Sequence, residues 1–238
     1  MSFIKNSGRF AGLLYVLVSI PGVFALIYVP NKLIVHGNAT ATANNIAASE
    51  TLFRLGIAAQ LISQILFMWV ALALYDLLKG VNRRHAAVML TLIVVSIPIA
   101  LLNEVNSIAA LILVRGDEFL SVLEKSQREA QAMLFLNLHS HGLGIAAIFW
   151  GLWLFPLGLL VYRSGFLPRP LGVLLMANCF SYVVTSFTSL ILPQYANIAN
   201  RWMMPLQFGE LLFMFWLLIM GAKPKPSVAG PASPVAVT

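Results

Sequence analysis

Residues 86–102 read AAVMLTLIVVSIPIALL, and Asn103 and Glu104 follow at once. Seventeen residues without a charge come close to the ~20 needed for an α-helix to cross a hydrocarbon core ~30 Å thick. A soluble core helix has no use for so long an unbroken run, so this stretch predicts a membrane span. The carboxylate at its end then becomes the first residue to question, because charge inside a bilayer is costly and usually functional.

Working outward, five further apolar runs share the chain, and the spans are expected at 10–29, 52–77, 86–113, 132–162, 171–192 and 202–221. The composition agrees. Sixty percent of the residues are hydrophobic, 10% are charged, and the mean hydropathy is +0.87. Soluble domains are closer to half apolar and a quarter charged. The fold class expected is therefore an all-α polytopic membrane bundle of six helices, residues 1–222, followed by a disordered cytoplasmic tail over 223–238. The tail alternates Lys and Pro and then small residues, a composition that cannot pack a core. The run at 10–29 is too long for the hydrophobic stretch of a cleaved signal peptide and reads as a retained span.

The net charge is +7, yet the basic residues sit in short clusters at the ends of apolar runs rather than along one face. That distribution argues against nucleic acid. It argues for an orientation instead. With the N-terminus inside, Lys5, Arg9, Lys79, Arg83, Arg84, Arg163, Arg169, Lys223 and Lys225 lie on the inner side. Lys32, Arg54, Arg115, Lys125, Arg128 and Arg201 lie on the outer side. Nine against six puts both termini in the cytoplasm. The first outer loop, 30–51, holds good helix formers in its second half and is expected to extend the second helix outward. Glu50 and Arg54, four apart, are expected to pair there. A short surface helix with Phe119, Leu120 and Leu123 on its apolar side is expected within 114–131.

Polar residues inside the runs mark the bundle interior, because a lipid-facing helix needs none. Gln60 and Gln64 share a face of the second helix; the third carries Asn103, Glu104, Asn106 and Ser107. The fourth carries His139 and His141, the fifth Asn178, Tyr182, Thr185 and Ser189, and the sixth Gln207 and Glu210. Interhelical hydrogen bonding alone would account for many of these. Their concentration in the outer half points to a polar cavity opening outward. Glu210, eight residues past Trp202 and so ~12 Å deep, is the charge with least excuse. Glu104 has a cheaper alternative at the outer interface. His139 and His141 lie about 200° apart around a helix, so they do not chelate one metal from a regular helix. No metal or other cofactor is expected. Cys179 lies alone in an apolar run and forms no disulfide within the chain.

Several strings carry a resemblance: Asn45-Ile-x-Ala-Ser-Glu50-x-Leu-Phe-Arg54-x-Gly, Leu138-His139-x-His-Gly142, Tyr162-Arg-Ser-Gly-Phe-Leu-Pro-Arg169-x-Leu-Gly-Val-Leu-Leu175, and Gly209-Glu210-Leu-Leu. Together they resemble a bacterial six-span membrane family known as a domain of unknown function, over nearly the whole chain except the tail. The resemblance implies six helices in a bacterial cytoplasmic membrane, and carries over Glu50, Arg54, His139 and Glu210. It implies no activity, substrate or cofactor.

Three functions remain in play. The first is binding or transport of a small amphiphilic or cationic ligand in a pocket around Glu210, lined by Gln207, Gln60, Asn178 and Tyr182. The second is an intramembrane enzyme using Glu210 or Glu104 with His139 as acid and base. The third is a non-catalytic assembly or regulatory subunit. The partners expected are the lipid bilayer and a small-molecule ligand, with no nucleic acid; the oligomeric state is not readable from the chain.

Overall fold

The computed structural model describes residues 2–222; the tail expected over 223–238 lies outside the described residues. Within them the protein is all helix, and six stretches are long and apolar enough to cross a membrane. The first runs through α1 (Ser2–Val23), a π-helical segment (Phe24–Tyr28) and α2 (Val29–Leu33). Then come α3 (Ala39–Ala48), α4 (Glu50–Leu78), α5 (Arg83–Arg115), α6 (Lys125–Leu152), α7 (Leu154–Ser164), α8 (Arg169–Ile191) and α9 (Ala196–Met220). α6 and α7 together make the fourth span, and α3 crosses nothing.

The helices are longer than the apolar runs. α5 covers 33 residues, about 50 Å at 1.5 Å per residue, so it tilts or projects beyond a core ~30 Å thick. Its ends are marked locally: the Asn82 side chain accepts from the His85 N–H at 3.0 Å, and Gly116 closes the last turn at φ 68°, a left-handed conformation that glycine adopts at no steric cost. Pro156 has no N–H to give the Leu152 carbonyl four residues back, and α6 stops at Leu152. The chain turns at Trp153 and resumes as α7.

α3 departs from expectation. Instead of prolonging α4, it is a separate helix, broken from it at Ser49 (φ −133°, ψ 43°). Side chains hold it down across the bundle end. Asn38 caps it by accepting from the Ala41 N–H at 2.9 Å, Asn45 donates to the Leu33 carbonyl at 3.2 Å, and Thr40 donates to buried Glu129 at 2.6 Å. These bonds tie the loop to α2 and α6, which a straight continuation of α4 would forgo. The helix expected within 114–131 is a single 3-10 turn, Glu118–Leu120. α6 starts soon after, at Lys125, where the Gln127 side chain accepts from the Glu124 N–H at 3.0 Å.

Each span packs against the next, and α9 returns to α1, closing a ring. Glycines set the tightest crossings: Gly12 lies against the backbone of Leu217 and Leu218, and Gly158 and Gly172 meet face to face between α7 and α8. Arg9 donates to the Ile219 carbonyl at 2.9 Å, tying the start of the chain to the end of α9. The end of the bundle holding both of these is called the terminal end below, and the other the far end.

Two apolar clusters fill the interior. The larger, around Trp153, Phe213, Leu74, Met89 and Leu157, occupies the terminal half. The smaller, around Val29, Ile46, Phe53, Leu111 and Leu136, occupies the far end beneath α3. Along α4, α5 and α6 most of the buried polar residues fall between the two, Gln60, Ser63 and Gln64 on α4 and Asn103, Glu104 and Ser107 on α5, with half-buried His139 beside them on α6; buried Glu129 on α6 lies apart, beneath α3. The bundle therefore has a polar belt between two mainly apolar layers.

Candidate functional site

Two groups of polar side chains form in separate cavities, the second of them within that belt. The first lies between α1 and α9. Tyr15, buried on α1, donates its hydroxyl to Glu210 Oε1. One turn further along α1, Ser19 donates to the Tyr15 carbonyl at 2.8 Å and faces Met214 Sδ at 3.4 Å. Glu210 lies ten residues before Met220 on α9, ~15 Å from that end, so it sits well inside the span. Beyond it α1 and α9 part, leaving a cleft of about 450 Å³ that also takes in Tyr182 and Gln207. That is the size of a small-ligand pocket. Its rim is apolar and exposed: Val23, Ile27, Met204 and Phe208. In a bilayer those side chains meet acyl chains, so the cleft combines a carboxyl floor with a lipid-side mouth.

The second group lies between the π-helical segment and helices α4, α5 and α6. Glu104 is 3% exposed, and α5 continues eleven residues past it to Arg115. Its side chain is therefore enclosed by neighbouring helices about three turns before the end of α5. His139 Nε2 stands 3.7 Å from Glu104 Oε1. On the other side of the ring, His139 Nδ1 lies 3.2 Å from Ser107 Oγ and 3.3 Å from the Asn103 carbonyl. The Asn103 amide donates to the His139 carbonyl at 2.8 Å, filling room left by Gly142. Gln60, 2% exposed, lines the same cavity, and neither of its amide atoms has a hydrogen-bond partner among the described residues. The cavity holds about 50 Å³, room for a few water molecules.

The remaining candidates fall elsewhere. Asn178 is buried and donates to the Gln207 carbonyl at 3.5 Å, joining α8 to α9. Gln64 is buried on α4, with its Oε1 lacking a partner among the described residues. Glu50 and Arg54 pair at 2.7 Å on the exposed start of α4, where such a bond is worth little. His141 points outward and is exposed. Among the described residues no group of three or more His, Cys, Asp or Glu is close enough to hold a metal ion. Tyr15 escaped the sequence reading, because a tyrosine in an apolar run is ordinary; its four-residue spacing to Ser19 is the one signal that both face a partner helix.

Residues 10–221 match the family described as Domain of unknown function (DUF4386). The chain belongs to that family. The match covers all six spans, so the resemblance carried by the Tyr162–Leu175 string extends over the whole bundle. An uncharacterised protein from Archaeoglobus fulgidus is 38% identical over 89 residues, 37% of this chain and 52% of that protein. The chain thus spans about half the length of that relative. No solved structure matches. Membership in the family brings no chemistry with it, so function has to be argued from the two cavities.

Proposed function

We propose that the protein binds or transports a small amphiphile with a cationic head in the cleft around Glu210. The observation that carries this reading is the pairing of chemistries in one space: a carboxyl group backed by Tyr15 at the floor, apolar side chains at an exposed rim. A cation desolvated beside a carboxylate gains far more than in water, and its alkyl portion gains burial between α1 and α9. Tyr182 and Gln207 supply polar contacts at the head-group level. On this reading both termini face the cytoplasm of a bacterial inner membrane, in accord with the charge distribution, and the cleft opens toward the outer leaflet.

The test is thermal unfolding of purified protein with dodecyltrimethylammonium, beside an uncharged amphiphile of equal chain length. Saturating ligand stabilises a protein by about 2.7 kcal/mol at a hundredfold excess over Kd. The cationic compound is expected to raise the midpoint of the wild type, and Glu210→Gln to lose most of that rise. Equal rises in both proteins, or for both amphiphiles, would end the proposal. Uptake of the same cation into vesicles then separates transport from binding.

A further inference from the structure

We propose that Glu104 and His139 form a proton-binding site, filled from water in the small cavity they share with Gln60. The inference stands apart from the Glu210 cleft and does not rest on it.

Four observations carry the proposal. Glu104 Oε1 and His139 Nε2 face each other at 3.7 Å inside the bundle, a separation that one shared proton draws into a hydrogen bond. The imidazole is held from behind, with Nδ1 against Ser107 Oγ and the Asn103 carbonyl. These contacts fix where the ring lies and aim Nε2 at the carboxyl group. Ser107 and the Asn103 carbonyl offer Nδ1 both roles, the hydroxyl as donor and the carbonyl as acceptor. The ring can therefore change tautomer or charge without losing its support. Finally, Glu104 Oε1 and both amide atoms of Gln60 are buried and have no hydrogen-bond partner among the described residues, yet belong to residues that line one cavity. A water there would donate to the carboxylate and accept from the amide, and would be the immediate source of the proton.

The balance is simple. A carboxylate beside a neutral imidazole carries one negative charge. One proton from cavity water makes the pair neutral, as carboxylic acid and neutral imidazole, the uncharged form that burial favours, and it returns to water on release. Neighbouring elements add no competing charge. Glu104 and His139 are the titratable groups in the lining. The segment Ala25–Ile34 contributes apolar side chains. On α4 the nearest charges, Glu50 and Arg54, already pair with each other near the surface; on α6 His141 is exposed and buried Glu129, ten residues from His139, is taken up by Thr40 and Lys125, and on α5 the next charge is Arg115. The cavity extends along α2 to Ile34, at the far end of the bundle, which is where exchange with bulk water would occur.

Infrared difference spectroscopy on the full chain in lipid tests this. Between about pH 8 and about pH 5, the range in which histidine changes charge, the wild type is expected to gain a protonated-carboxyl C=O band. That band should vanish in Glu104→Gln, persist in Glu210→Gln, and move its midpoint in His139→Gln. A band unchanged in Glu104→Gln, or a midpoint unmoved in His139→Gln, overturns the proposal, as does a wild type with no titrating band. If Glu104→Gln does not fold, the nitrogen resonances of His139 in the wild type decide. A change of tautomer or charge over the same range supports the site, and a constant signal means a structural water pocket only.

Discussion

At the scale of the residue, the carboxylates and His139 stand out in the sequence because ionisable groups are expensive in apolar runs. What each would touch does not. Tyr15 gave no warning, since its ring suits an apolar segment and its hydroxyl matters only once α9 lies beside it. Gly142 is similar: nothing in the sequence says that the Asn103 amide fills the space beside it. Gly142→Ala is expected to push that amide aside and break its bond to the His139 carbonyl. A buried hydrogen bond contributes about 1 kcal/mol; thermal unfolding should register that loss, and the His139 resonances should shift with it. Gly144 has no atom within reach of an added methyl group, so Gly144→Ala serves as the silent control.

At the scale of the element, the π-helical segment is the least ordinary feature. The Val29 N–H reaches the Phe24 carbonyl, five residues back rather than four, and Pro30 has no N–H for the Leu26 carbonyl. Such segments hold an extra residue within a helix and concentrate at functional sites. Here Leu26 borders both cavities, so the segment is the wall between them. Deleting Ala25 should restore an α-helical ladder while leaving the helix beyond it close to its present rotation, because the π turn already absorbs the extra residue. Val29 and Leu33 then keep their places in the far-end cluster, and only the wall between the cavities changes. The expected result is an unfolding temperature close to that of the wild type together with loss of the cationic-amphiphile shift. A deletion that keeps the shift would mean the extra residue is decorative. For α3, Asn38→Ala removes the cap and should cost about 1 kcal/mol, visible as faster amide exchange over 39–48 with the transmembrane helices unaffected. Sequence alone suggested helix in this region but not the break at Ser49, because the break exists to let Thr40 and Asn45 reach α6 and α2.

At the scale of the whole molecule, close crossings decide where the ring is tight and where it opens. α1 and α9 touch at Gly12 and part beyond Glu210. Gly12→Leu would force a side chain into the backbone at Leu217 and Leu218. Overpacking of this kind typically costs about 1–3 kcal/mol, and wedging α1 away from α9 should also weaken the amphiphile response. Gly158→Leu, at the α7–α8 crossing, should destabilise comparably while leaving that response intact in whatever protein remains folded. A reporter that works only in the cytoplasm, fused to the C-terminus, should be active; an inactive fusion would reverse the orientation inferred from the charges.

Six spans, their order and the identity of the costly polar residues were all legible in the chain, because hydrophobic length and the scarcity of charge inside it are local properties that the bilayer enforces on any sequence. The gathering of those residues into two cavities rather than one was settled by packing. Glu210 faces α1, where Tyr15 donates to it, while Glu104 faces α6, where His139 stands 3.7 Å away. Which helices meet, and at what rotation, depends on side chains far apart in sequence, and no single stretch of this chain contains that information.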